Sequence, residues 1–209
     1  MTGAVEAGAT GHFEVLHALA IKAMAPPAAL AAVTGVDVLP GLVVLRDGGW
    51  AEHLAGRDLW RITKQGRALH ARLVAERITE PARGRLRAGY ERFLPLDRWF
   101  KGVCTRWQVR DGVPNDHSDA RYTGALVVEL GRLHERVDSL LLDLGRALDR
   151  LTGYRARLSA ALDRVRDGDR TAFTGVLCES YHDVWMELHR DLQLVLGVDR
   201  HAEETGAAR

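Results

Sequence analysis

Six residues, Val36 to Gly41, lie between a helix stop at Gly35 and the β-branched run Leu42–Leu45. That interval limits what the first part of this chain can build. Upstream, Glu14 to Met24 carries apolar residues at Val15, Leu16, Leu19, Ala20 and Ala23, the spacing of an amphipathic helix. "APPAALAAVTG" follows, with proline near a helix start, an alanine-rich turn or two, and Gly35 as the stop. Downstream, "GLVVLRDGGW" predicts a short strand running into a Gly-Gly turn. Leu59–Thr63 predicts the returning strand, and a helix runs from there through Ile78.

Helix, helix, hairpin, helix is the skeleton of a winged helix. Such a fold needs a long amphipathic reading helix between the second helix and the hairpin, and six residues ending in Pro40-Gly41 predict that it is lost. Charge points the same way. From Thr34 to Trp60 there are two basic residues, Arg46 and Arg57, against Asp37, Asp47, Glu52 and Asp58, a net of −2. Phosphate contacts supply much of the affinity for DNA, and this balance opposes them. The expectation is a mainly α protein: a degenerate N-terminal winged helix with a small β-hairpin over residues 1–80, and a C-terminal helical domain over 81–209.

"TEPARGR" is the expected joint, with Pro81 and Gly84 interrupting the helical pattern. Beyond it the pattern is helical throughout. Leu96, Phe100, Val103 and Trp107 mark one stripe, and Leu130, Leu133, Val137, Leu140, Leu144 and Leu148 a longer one. "LTGY" breaks that helix, and Leu158, Leu162 and Val165 continue in a shorter one. A last helix is expected after "RDGDR", with Asp169 as its cap and a stripe of Phe173, Leu177, Tyr181, Val184, Leu188 and Val195.

"EVLHALAIKAMAPPAALAAVTG", "LWRITKQGRALH" and "YERFLPLDRWFKGVCTRWQVRDGVPNDHSD" resemble segments of an actinobacterial MarR-like family, segments also found at the ends of some phosphoenolpyruvate-utilising proteins. The resemblance runs from about Phe13 to Arg200, and "CTRWQVR…PNDH" is its most specific part. It implies a winged-helix fold, a helical C-terminal region, dimerisation and often transcriptional regulation. The shortened reading element departs from that pattern.

Composition narrows the functions further. Net charge is +1, which advertises no polyelectrolyte partner. Two cysteines, Cys104 and Cys178, are too few for a disulfide framework and suit a reducing compartment, so a cytoplasmic protein is expected. The longest uncharged stretch, Met24 to Gly35, is too short to span a bilayer. Neither a Walker A loop nor a dinucleotide-binding glycine fingerprint occurs, so no cofactor is expected.

Two clusters carry groups able to do chemistry. In "VLCESYHDVWMELHRDL", Cys178, His182, Trp185 and His189 are spaced to share one helical face, with Tyr181 and Glu187 beside them. Thiol, imidazoles and indole beside a leucine stripe suit the polar wall of an apolar pocket. In "CTRWQVRDGVPNDHSD", Cys104, Trp107 and Gln108 precede a turn, and Asn115, Asp116 and His117 form a dense polar group. Asn and Asp also make turns and caps, so "PNDHSD" equally serves to start the long helix. His182 and His189 are two helical turns apart, too far for one metal ion, so no metal is expected.

These residues lead to one expectation and two alternatives. The first is a cofactor-independent acid–base enzyme acting on a small organic molecule, aromatic ones included, in a condensation or cyclisation. His182 and His189 would move protons, Glu187, Asp116 and His117 would assist, and Trp107, Gln108, Cys104, Asn115, Tyr181, Trp185 and Cys178 would hold the substrate. The alternatives are a ligand-responsive DNA-binding regulator and a non-catalytic binding module. A homodimer is the expected assembly.

Overall fold

Pro40, expected to break a helix, begins one. In the computed structural model, which describes residues 11–198, Leu39–Asp47 is helical rather than the strand that its β-branched run predicted. Pro40 sits in the first turn, where a missing N–H leaves nothing unpaired. Asp37 Oδ1 accepts the Leu39 N–H at 3.1 Å, a local side-chain turn just before the helix. Gly41 lets this helix approach closely, because a Cβ there would press on the side chains of Val15 and His12.

This helix, α3, belongs to the first of two compact units, formed by residues 11–79 and 193–198. Its order is α1 (Phe13–Lys22), β1 (Met24–Ala25), α2 (Pro27–Thr34), α3, β2 (Ala51–Leu54), β3 (Leu59–Ile62) and α4 (Lys64–Arg77). β3 is the middle of a three-stranded antiparallel sheet, with β1 on one side (Ala25 opposite Trp60) and β2 on the other (Ala51 opposite Ile62). Leu16, Leu19, Leu30, Leu42, Leu45 and Ile62 form the core. Within it His17 Nδ1 and His70 Nε2 lie 2.7 Å apart, tying α1 to α4.

The second unit is Glu80–Leu192. The joint falls at Ile78–Thr79, because Pro81 is accommodated in the first turn of α5 (Glu80–Gln108) and Gly84 lies within that 29-residue helix. α5 packs along α6 (Ala120–Gly145), and α6 packs against α7 (Gly153–Arg166). Between α5 and α6 the strands β4 (Val109–Arg110) and β5 (Val113–Pro114) form a minimal hairpin. Asp119 Oδ1 accepts the Tyr122 N–H and caps α6. Both leucine stripes are buried as their spacing predicts, except that Leu96 and Leu148 are only half-buried.

The last helix departs from expectation. Asp169 caps only a single turn, α8 (Thr171–Thr174), and a loop follows before α9 (Tyr181–Leu196). Leu177, expected in the core stripe, is 94 % exposed at φ 58°, and Cys178 lies in the loop rather than on the helical face of His182. Among the described residues the chain is therefore mainly helical with a small antiparallel sheet, and none of its helices is long and apolar enough to cross a membrane.

Candidate functional site

His189 and Trp185, expected to line a pocket, are instead packed among α5 side chains. Trp185 is wholly buried between Phe93 and Phe100, with ring centroids 5.1 and 4.5 Å away. Its indole N–H donates to Asp97 Oδ1 at 2.9 Å. The same carboxylate meets Lys101 Nζ at 2.7 Å and faces His189 Nδ1 at 3.5 Å, while His189 Nε2 lies 3.1 Å from the Tyr90 hydroxyl. Burial alone would raise the Asp97 carboxyl, but His189, Lys101 and Trp185 together hold it at about 2. Asp97 is thus a buried, ionised hub. Its neighbours fill the space around it, so the arrangement fastens α9 to α5.

A second chain of hydrogen bonds joins three helices. The Tyr181 hydroxyl lies 3.3 Å from His134 Nδ1, and His134 Nε2 lies 3.2 Å from Ser159 Oγ. Burial raises the Tyr181 phenol and lowers the His134 imidazole, so both are neutral near pH 7. A buried phenol must place its proton, and His134 Nδ1 is the acceptor the geometry offers. Nε2 then carries hydrogen and donates to Ser159, which leaves that hydroxyl unactivated. Ser159 also lies inside α7, where backbone N–H groups are consumed by the helix and form no oxyanion hole.

The other nominated residues divide similarly. Burial and the charge of Asp97 push the Cys104 thiol to about 12, so it is an inert apolar group. Cys178 is half-buried, its thiol 3.6 Å from the Thr171 carbonyl. Glu187 is buried and, with Glu179, accepts from the Arg157 guanidinium at 2.7 Å each. His182 is half-buried, its ring 6.0 Å from Phe100, with no hydrogen bond to its imidazole among the described residues.

The Asn115 cluster is built largely as turn chemistry. Asn115 Oδ1 accepts the His117 N–H, Asp116 Oδ1 accepts the Ser118 N–H, and exposed Gln108 gives its carbonyl to the Asn115 N–H. The His117 ring packs on Trp107 at 4.3 Å and Trp107 on Phe173 at 4.6 Å; burial, then the nearby Arg170, lowers the His117 imidazole. Phe173 reaches Phe100, and Phe100 reaches Trp185. The two clusters are therefore joined by a continuous run of aromatic ring contacts. Among the described residues no group of three His, Cys, Asp or Glu side chains is arranged to hold a metal.

Open concave surface lies elsewhere, on groups the sequence reading passed over. A cleft of about 460 Å³ runs between the first half of α5 and the end of α6, lined by Arg85, Ala88, Gly89, Arg92, Asp143, Leu144 and Arg146. The helices come close because Gly89 has no side chain; a Cβ there would overlap Leu144. Asp143 accepts from Arg92 at 2.9 Å and from Arg146 at 3.1 Å, and exposed Arg85 forms no ion pair among the described residues. The signal was present in the sequence: Arg85 and Arg92 flank Ala88-Gly89 at one helical face's spacing.

The outer side of α3 has a different character. Leu39 and Val43 are exposed there, as is Val36 just before it, and the single basic residue Arg46 is bound to Asp47 at 2.8 Å.

No known protein family, characterised protein or solved structure matches this chain.

Proposed function

We propose that this chain is a non-catalytic ligand-binding protein on a winged-helix scaffold, and that the cleft between α5 and α6 takes a small organic molecule. The cleft carries the reading: it joins an apolar floor to a few convergent polar groups, the usual make-up of a ligand site. The groups first nominated for acid–base work are, by contrast, mostly engaged in packing, turns and buried ion pairs.

The scaffold reading rests on element order and on the resemblance to MarR-like sequences. Helix, strand, helix, helix and a two-stranded hairpin, with β3 central, is an element order that a winged helix would have, and it supports this reading. The apolar outer side of α3 disfavours base reading there, since it offers neither a free cation nor an amide to a groove.

The test is an amide-resolved NMR titration with a set of neutral and charged fragments. Shifts clustered at Ala88, Gly89 and Leu144, abolished by Ala88→Trp, are the expected result. Binding elsewhere only, or binding unchanged in Ala88→Trp, overturns the reading. Acid–base catalysis draws support from His182 alone, the nominated imidazole left half-buried without a hydrogen bond among the described residues. Under that reading His182→Gln abolishes a turnover that Ala88→Trp leaves intact, the reverse of the pattern expected for the cleft.

A further inference from the structure

The polar groups around the cleft identify the class of molecule that fits it. Three guanidiniums, Arg85, Arg92 and Arg146, border it with one carboxylate, Asp143, leaving two positive charges in excess. Asp143 stands between Arg92 and Arg146 and occupies the position that a bound anion's oxygen atoms would share. Arg85, one helical turn before Gly89, retains its donors. Guanidinium groups bind carboxylates through paired, parallel N–H donors, which a lysine cannot reproduce.

The floor distinguishes among anions. Ala88, Gly89 and Leu144 offer no hydrogen bonds from their side chains, and Ala88 is the exposed part of this floor, above the buried Gly89 and Leu144. A free inorganic anion would leave that floor wet and gain nothing from it. An anion attached to a compact apolar body would cover the floor and place its charge at the arginine rim.

Resting on the reading of this cleft as a ligand site, we infer that its ligand is a small organic carboxylate with a compact apolar body, held by Arg85 and by Arg92 and Arg146 in competition with Asp143. The competition gives the site a distinctive signature. Removing the Asp143 charge should strengthen binding, although that residue touches the ligand site, because it is the built-in rival. A Coulomb interaction across about 5 Å of water-like medium corresponds to roughly a three- to fivefold change in affinity.

Cyclohexanecarboxylate and cyclohexanecarboxamide differ only in the charged head and so separate this inference from the broader reading. With the full chain in a titration followed by backbone amide shifts at Ala88, Gly89 and Leu144, the carboxylate should bind at least about tenfold more tightly than the amide. Inorganic phosphate should bind more weakly than the carboxylate. Arg85→Gln should weaken the carboxylate about threefold or more, Asp143→Asn should strengthen it, and 1 M salt should suppress it, since the screening length falls to about 3 Å. These side chains are exposed or half-buried, so circular dichroism should show every variant folded.

Equal binding of acid and amide at the cleft overturns the inference and leaves the ligand-site reading standing. Phosphate binding as tightly as the carboxylate overturns the apolar body. Weaker binding in Asp143→Asn overturns the competition. Absence of cleft shifts from both cyclohexane compounds and from the wider fragment set overturns the inference and the underlying reading together.

Discussion

Helix α5 passes through two environments built from the same kinds of groups, and they serve opposite ends. Around Asp97 it meets a histidine, a lysine and two polar aromatics, each within reach of another, with the carboxylate 3 % exposed. Around Arg85 and Arg92 it meets two more charged residues at an open rim, where donors exceed acceptors. Satisfaction rather than composition separates them. The Asp97 carboxylate is committed to partners within the fold, whereas Arg85 forms no ion pair among the described residues.

The sharpest way to break this contrast is to empty the closed cluster. Asp97→Ala leaves the Trp185 indole and the Lys101 and His189 nitrogens without their shared acceptor, and should cost about 3–5 kcal/mol of stability by urea unfolding. A loss below about 1 kcal/mol would mean that the cluster is not what fastens α9 to α5.

Acid probes the same hub more gently. The Asp97 carboxyl is held at about 2, below its unfolded value, so its contribution is full above pH 4 and is lost as pH falls toward 2. The loss should approach about 2 kcal/mol and be absent from an Asp97→Asn variant compared over the same range.

At the open rim, stability and binding should come apart. Arg85→Gln should change the unfolding free energy by no more than about 0.5 kcal/mol, as expected for an exposed side chain without an ion pair. The same substitution should weaken carboxylate binding. If instead it unfolds the protein, the two regions of α5 do not differ as described.

The smallest effect is expected at α3. A mobility-shift titration against the chain's own promoter DNA at about 150 mM salt should show no sequence-selective complex, because Arg46 is engaged by Asp47 and its neighbours are apolar. Selective binding abolished by Val43→Asp would restore α3 to a reading role.

Much of the fold was legible wherever one face of a helix had to be buried. The stripes of α5 and α6, the cap at Asp119 and the breaks near "LTGY" follow from spacing and local hydrogen bonding. The α3 region was misread because β-branched residues suit strands in isolation, whereas Leu42 and Leu45 had a core to enter and Gly41 a neighbour to approach. The loop before α9 was misread because Phe173, Leu177 and Tyr181 have helical spacing even though a left-handed turn intervenes.

The candidate site was less legible still. His189, Trp185, Trp107 and His117 carry unusual side chains, and the fold brings them into one run of ring contacts. Their spacing along the chain could not say that Asp97 and Phe93 would close over α9. Sequence alone determined the apolar faces of α5 and α6 and the start of α6 at Asp119, because these depend on residues within a turn or two. Tertiary structure decided which polar groups meet partners and which remain open, because Asp97 and His189, or Arg92 and Asp143, become neighbours only when distant helices pack.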